Sequence, residues 1–321
     1  MLVPLSLLFW LISSVRRALF RNGWLRSKDV GVPVIIIGNI TAGGTGKTPV
    51  CIWLAKELTK KGHAVGIVSR GYGGASKASY LRVSSDSDPA QVGDEPLLMA
   101  KRTGCPVIVG TDRVEAASEM AKQGVDVIIA DDGLQHYALH RSYEVCVIDG
   151  ERNLGNRRLI PAGPLRETPR RLLSVDQVLI NGRCGDNQAN AAEMTALCFS
   201  LVPGDAVRIG DGSTQALADF SGKRVHAVAG IGNPSRFFKM LRGLGMDVVE
   251  HPMPDHAVPN LRAVGDGLPV LMTEKDAVKR VKLPHEDCWY VPVELSLDEQ
   301  LASAWLDQLE SRLATEKQSD A

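Results

Sequence analysis

Several familiar signals are missing from this chain of 321 residues, and each absence closes off a class of function. The six cysteines, Cys51, Cys105, Cys146, Cys184, Cys198 and Cys288, include no Cys-x-x-Cys pair. Neither a zinc knuckle nor a dithiol redox centre is therefore indicated. Several lie in apolar runs, where a free thiol acts as a small core residue, and the pattern reads as a reducing compartment. Net charge is missing too: Lys+Arg and Asp+Glu are both 37, so no global basic field is present and no nucleic-acid partner is expected. The most apolar stretch, Met1 to Ile12 (MLVPLSLLFWLI), falls short of the roughly 20 residues that cross a bilayer. It is not a secretory signal either, because its basic residues follow the apolar run rather than precede it. Internal repeats and low-complexity tracts are absent.

Those basic residues, Arg16, Arg17, Arg21, Arg26 and Lys28, stand with Trp10 and Trp24 behind the apolar run. The combination predicts a helix over residues 1–28 lying in an anionic membrane interface, the alternative being a helix packed on its own domain. From residue 33 onward, strand and helix signals alternate. Pro33–Gly38 (PVIIIG), Ala64–Ser69, Pro106–Val109, Val125–Ala130, Glu144–Ile148 and Gln177–Ile180 read as strands, with a helix near Lys47–Lys61. Continuous apolar strands between helices predict an α/β fold, a doubly wound and mostly parallel sheet. Arg70–Asp88 is rich in Gly and Ser and reads as a loop or hairpin. A second α/β run follows, with strands at Arg224–Ala229, Met246–Glu250 and Leu268–Met272 and helices at Pro234–Leu244 and Leu297–Ala314. The boundary falls between residues 182 and 222. We divide the chain into an interface helix (1–28), a nucleotide-binding domain (29–205) and a smaller α/β domain (206–321).

The strongest chemical signal is Gly38-Asn39-Ile40-Thr41-Ala42-Gly43-Gly44-Thr45-Gly46-Lys47-Thr48. It follows a strand and opens a helix, the context of a phosphate-binding P-loop. Residues Thr41 to Thr48 would bind ATP, with backbone N–H groups and the helix N-terminus facing the phosphates. Lys47 would reach the β and γ phosphates and Thr48 would ligate Mg²⁺. Thr41 stands where the usual pattern has its first glycine. The apolar strand ending in Asp131 and Asp132 is a Walker B arrangement, whose carboxylates hold Mg²⁺ directly or through water. A GTPase would show Asn/Thr-Lys-x-Asp, and the nearest stretch, Thr273-Glu274-Lys275-Asp276, has the wrong spacing. A partition-type ATPase would carry a second lysine where Ala42 stands. Gly93-Asp94-Glu95-Pro96, Pro161 to Glu167 (PAGPLRE) and Pro254-Asp255-His256 are turns or loops when taken singly. Phosphoryl transfer to a hydroxyl gives them a use, since the acceptor must lose a proton and cations must offset phosphate charge.

With GNITAGGTGKTP, SRGYGG, VGDEP, DDGLQH, IPAGPLRE, AGIGNPSRFF, PDH and TEKDAVK in this order, the sequence resembles the tetraacyldisaccharide 4′-kinase family of lipid A biosynthesis over nearly its whole length. The resemblance implies ATP- and Mg²⁺-dependent phosphorylation of the 4′-hydroxyl of a lipid A disaccharide precursor, a tetraacylated glucosamine disaccharide 1-phosphate. It also implies a peripheral location on the cytoplasmic face of the bacterial inner membrane; no obligate protein partner is inferred. It gives Asp94 the role of general base with His256 as its partner, Arg166 a charge-stabilising role, and Asp131, Asp132 and Glu167 places on the metal side. Arg70, Tyr72, Gln135 and His136 are expected at the acceptor. Ala257 stands where the family often has a second histidine. Two other readings stay open: a membrane-associated nucleotide switch without acceptor chemistry, and a kinase for another lipid or sugar.

Overall fold

The computed structural model describes residues 2–71, 79–182, 196–259, 261, 264, 266–279 and 283–319. Tyr72, expected at the acceptor, lies outside them. Helix α1 (Val3–Arg21) is followed by strand β1 (Val34–Gly38), helix α2 (Lys47–Lys60), β2 (Val65–Ser69), β3 (Tyr80–Val83), the short α3 (Pro89–Val92), α4 (Asp94–Thr103), β4 (Val107–Gly110), α5 (Arg113–Ala121), β5 (Val127–Asp131), β6 (Tyr143–Asp149), β7 (Gln177–Asn181) and β8 (Ala196–Pro203). These strands and β15 (Val293–Leu297) form a nine-stranded sheet in the order β15-β8-β7-β6-β1-β5-β2-β4-β3. Its interior pairs are parallel and both outermost pairs, β3 with β4 and β15 with β8, are antiparallel.

The continuous apolar strands follow from covering on both faces. Ile35 and Ile37 of β1 pack with residues of α2 and α4, whereas Val34 and Ile36 pack with Ala116, Ala117 and Met120 of α5. Alternate residues of one strand thus enter two separate cores, and neither face tolerates polar residues.

The second sheet comprises β9 (Ala206–Arg208), β10 (Thr214–Gln215), β11 (Arg224–Ala229), β12 (Asp247–Pro252), β13 (Val270–Thr273) and β14 (Cys288–Val291), in the order β10-β9-β14-β13-β11-β12. Helix α6 (Pro234–Gly243) contributes Phe237, Phe238 and Leu241 to its core, and the single turn α7 (Glu274–Ala277) follows β13. The expected unit 206–321 needs one correction. Strand β15 returns to the first sheet, and α8 (Glu299–Ser319) buries Trp305, Leu306, Leu309 and Leu313 in the first core. Trp305 stacks on Trp53 with ring centroids 5.4 Å apart. The second unit is therefore inserted, with chain crossings to the first on both sides. Cys51, Cys105, Cys146 and Cys288 are free thiols, whereas Cys198 is disulfide-bonded, which the reading of a reducing compartment does not anticipate.

Helix α1 runs beyond the twelve-residue apolar stretch to 19 residues, long and apolar enough by length and composition to cross a membrane. It is nevertheless fastened to the first unit near both ends. The Ser6 hydroxyl donates to the Leu159 carbonyl at 2.9 Å and accepts from the Ala162 N–H at 3.0 Å, while Arg17 donates to the Ser174 hydroxyl at 2.8 Å. Most of its apolar side chains, among them Leu5, Leu7, Leu8 and Leu11, are exposed, whereas Phe9, Leu19 and Phe20 are half-buried.

Candidate active site

The site forms at the carboxyl ends of the parallel strands, where open α/β sheets bind ligands. Strands β1 and β5 are neighbours in a register that sets Ile37 beside Asp131, so the loop after β1 and the acids at the end of β5 meet at one edge. Gly43 and Gly46 have positive φ, +94° and +98°. At Gly46 a side chain would be strained by that φ and would meet the Asn181 amide at 2.7 Å. The Asn181 amide also donates to the Thr45 carbonyl at 3.2 Å. Arg152 donates to the Gly44 carbonyl. The loop's carbonyls are thus held from outside, which leaves its N–H groups and the start of α2 available to an anion.

The unusual Thr41 has a structural explanation. Thr41 forms an antiparallel bridge with Leu165, the Ala42 N–H donates to the Pro164 carbonyl and the Arg166 N–H donates to the Ile40 carbonyl, both at 2.7 Å. The loop entry is extended backbone stitched to the Pro/Gly-rich segment, so no glycine is needed there. The same stitching delivers Arg166 to the site. Its guanidinium donates to both oxygens of Asp132 at 3.2 Å, and the Lys47 ammonium lies 3.5 Å from the same carboxylate. Asp132 has φ +48°, which turns it off the strand line toward these cations. Burial raises the Asp132 carboxyl, but Lys47, Arg166 and Arg113 outweigh it and hold the group below its ordinary value. Asp131 is fully buried and accepts from the Ser69 hydroxyl at 3.2 Å; burial raises its pKa to about 6.

A cavity of about 530 Å³ opens beside Asp132. Its walls include Arg70, Arg113, Gln135, His136, Arg166 and Glu167, and Phe9, Trp10 and Arg17 of α1 close one side. Burial lowers His136 to about 4, which keeps it neutral, and its Nε2 has no hydrogen-bond partner. The Gln135 amide donates to the Asn39 carbonyl at 3.1 Å and to Glu167 at 2.7 Å. Glu167, expected on the metal side, also accepts from the Tyr137 hydroxyl at 2.6 Å and pairs with Arg171 at 3.4 Å. Its oxygens are therefore engaged in the cavity wall, and a place on a metal would require exchanging those partners.

The second unit supplies the other half. His256, at φ +64°, brings Nδ1 to 3.0 and 3.2 Å from the two oxygens of Asp94 at the start of α4. Burial raises the Asp94 pKa, but the hydrogen bond to His256 and the charges of Lys275, His256 and Lys279 prevail, and the net shift is downward. The hydrogen bond to Asp94 raises His256 against the opposing effect of burial. The two units also meet where Arg236 of α6 pairs with Asp149 at 3.3 Å.

The chain's own groups fit ATP and Mg²⁺. The glycine loop and the start of α2 suit phosphates. Among the described residues no cluster of three or more His, Cys, Asp or Glu could hold a metal ion by itself. Mg²⁺ is usually held by one or two carboxylates together with phosphates and water. Thr48, Asp131 and Asp132 would be its protein ligands.

Sequence reasoning missed several residues. Arg113 is buried at the start of α5, where Asp112 caps the helix by accepting from Val114 N–H at 2.8 Å. Tyr137, Lys275 and Lys279 were also missed. Only the cap pattern before Arg113 and the quoted TEKDAVK stretch gave any signal of them.

A family model described as Tetraacyldisaccharide-1-P 4′-kinase matches residues 1–311. The tetraacyldisaccharide 4′-kinase of Alkalilimnicola ehrlichii is 50% identical over 294 residues, covering 91% of this chain and 86% of the relative. That of Pasteurella multocida is 45% identical over 312 residues, covering 95% and 93%. Among solved structures, the ATP complex of the Aquifex aeolicus family member superposes with a TM-score of 0.76 at 29% identity and covers 97% of each chain.

Proposed function

The chain belongs to the tetraacyldisaccharide-1-P 4′-kinase family, and we propose that it transfers the γ-phosphoryl group of ATP to the 4′-hydroxyl of a tetraacylated glucosamine disaccharide 1-phosphate in lipid A biosynthesis. The observation that carries this reading is the convergence of Lys47 and Arg166 on Asp132 at the P-loop mouth, beside a cavity walled partly by α1. A nucleotide switch has no need of such a cavity or of a carboxylate–histidine pair joining the two units.

Asp94 takes the proton of the acceptor hydroxyl as its oxygen bonds to the γ-phosphorus. The bond from that phosphorus to the β–γ bridging oxygen breaks, and ADP leaves. His256 orients Asp94 and holds it ionised. Lys47 and Arg166 offset the charge of the transferring group, and Mg²⁺, when bound, neutralises phosphate charge and aligns the phosphates. Incubation with ATP and the tetraacyldisaccharide 1-phosphate, followed by mass analysis, should give one added phosphate located at the 4′ position. A product phosphorylated elsewhere, or ADP release without a phosphorylated lipid, would refute the assignment.

We also propose that α1 seats the protein peripherally on an anionic bilayer, at the cytoplasmic face of the inner membrane. Its attachment to the first unit near both ends argues against a spanning helix, which would drag that unit into the lipid. Its exposed leucines suit lipid, and Arg16, Arg17 and Arg21 suit headgroups. Leu7 and Leu11 are 61% and 52% exposed and do not line the cavity. Burying a leucine stabilises by about 1.5–3 kcal/mol, so L7D/L11D should weaken binding to anionic vesicles by on the order of a hundredfold. Turnover on detergent-dispersed acceptor should stay close to wild type. Undiminished vesicle binding in this variant would remove α1 as the anchor.

A further inference from the structure

Beyond the charges that Lys275 and Lys279 set near Asp94, the TEKDAVK stretch has no role in the site as described so far, yet two of its charged side chains are almost completely buried. Lys279 is 4% exposed and Asp276 is 0% exposed. An ammonium group carries three donors; Lys279 uses two in hydrogen bonds and stands at ion-pair distance from a third partner. It donates to Asp276 Oδ1 at 2.7 Å and to the Ala257 carbonyl at 2.9 Å, and it lies 3.5 Å from Asp94 Oδ2. One side chain thus touches the acid of the dyad and the backbone immediately after His256. Asp276 in turn accepts on Oδ2 from the Thr273 hydroxyl at 2.6 Å and from the Gly230 N–H at 2.9 Å. Gly230 begins the loop whose Gly232 lies against the P-loop, so close that a Cβ at 232 would stand 2.3 Å from the Gly44 nitrogen.

We propose that Lys279 is a positioning residue for phosphoryl transfer. Its ammonium fixes the Asp94 carboxylate and the turn that carries His256 in one geometry. Asp276 anchors that ammonium and, through Gly230, ties the same geometry to the loop resting on the P-loop. This rests on the reading of Asp94 as the base. It explains why His256 keeps a left-handed backbone conformation uncommon for a residue with a side chain: Asp255 accepts from the His256 N–H at 3.1 Å on one side, and Lys279 holds the Ala257 carbonyl on the other. It also explains two nearly solvent-free charges in a segment with no direct access to substrate. A salt bridge that served stability alone could be replaced by apolar side chains at little cost.

The charged groups around the Asp94 carboxylate are His256 and Asp255 of the 254–257 turn, Lys275, Asp276 and Lys279 at and after α7, and Glu95 on its own helix. Removing the Lys279 cation leaves a buried carboxylate with less compensation, so its proton is harder to lose. Lys279→Gln should therefore lower kcat about ten- to a hundredfold, leave the KM for ATP within about threefold, and move the acid limb of the kcat profile to higher pH. Lys279→Gln leaves Asp276 buried and uncompensated, so K279M/D276N, which removes both charges, is measured beside it with thermal melts. The double variant should melt near wild type and show the same kcat loss and displaced limb. Lys279→Arg should recover part of the rate and bring the limb back toward its original position. A folded variant without the cation that retains the wild-type acid limb or the wild-type kcat would overturn the proposal. Asp94→Asn serves as the control for the underlying reading. If it retains activity, the base assignment fails. If it is inactive while the Lys279 variants keep the wild-type limb, only the positioning role fails.

Discussion

Lys47→Ala should lower turnover by about a hundred- to a thousandfold at saturating ATP, the loss typical of removing one preorganised partner of transition-state charge. Lys47 is the first residue of α2, so its position is set by the helix that the loop opens. It reaches 3.5 Å from Asp132, a carboxylate it shares with Arg166. That sharing suggests how the lysine is held ready: Asp132 fixes the ammonium at the loop mouth, and nucleotide phosphates would compete for it there. Alanine removes the cation but leaves the loop backbone, the start of α2 and the Arg166 contact in place. ATP binding should accordingly suffer less than transfer, and the melt should stay near wild type. The check is single-turnover transfer with radiolabelled ATP beside equilibrium ATP titration. Near wild-type transfer in a folded Lys47→Ala protein would sink the P-loop assignment.

What could be read from the sequence follows the local physics of each element. The inner strands β1, β5, β6 and β7 announced themselves because helices cover both their faces and every position is buried. The outer strands did not. In β15 and the second half of β8 half-buried positions alternate with exposed ones, and so short an alternation resembles a loop. Strand β3, four residues long with only Val83 buried, lay in a Gly- and Ser-rich stretch read as loop or hairpin. The return of α8 to the first core is a tertiary event, with Trp305 stacking on Trp53 more than 200 positions away in sequence, and nothing local encodes it. The helix expected over residues 1–28 ends at Arg21, where Asn22 and Gly23, the latter at positive φ, turn the chain and leave Trp24, Arg26 and Lys28 outside it. The site divides in the same way. The P-loop and the acids at the end of β5 are contiguous motifs whose chemistry is visible in order. Arg113, Tyr137 and Lys279 are single residues whose surroundings are assembled from separate elements, and only the folded chain reveals what they touch.

Asp94→Asn should lower kcat by about a thousandfold, within the range usual for loss of a general base, while His256→Ala should cost less because the carboxylate remains. Combining the two should be scarcely worse than Asp94→Asn alone, since a histidine that works only through Asp94 has nothing left to orient. Losses in transition-state free energy that simply add would count against a coupled pair. The pH dependence offers a check that does not depend on activity. The folded His256 pKa is raised from 6.5 by its hydrogen bond to Asp94, so its contribution to stability is complete below 6.5 and is lost as pH rises through the folded value. The folded Asp94 pKa is lowered from 3.8 despite burial, because His256 and the two lysines hold the charged form. Its contribution is complete above 3.8 and is lost as pH falls through the folded value. The two conditions overlap between 3.8 and 6.5, and there the contact between the units is strongest. The difference in melting temperature between wild type and His256→Ala should therefore be largest in that window and shrink on either side. A difference that stays flat across the whole range would show that the two side chains do not titrate as partners. In that event the carboxylate would have to be held ionised by Lys275 and Lys279 alone.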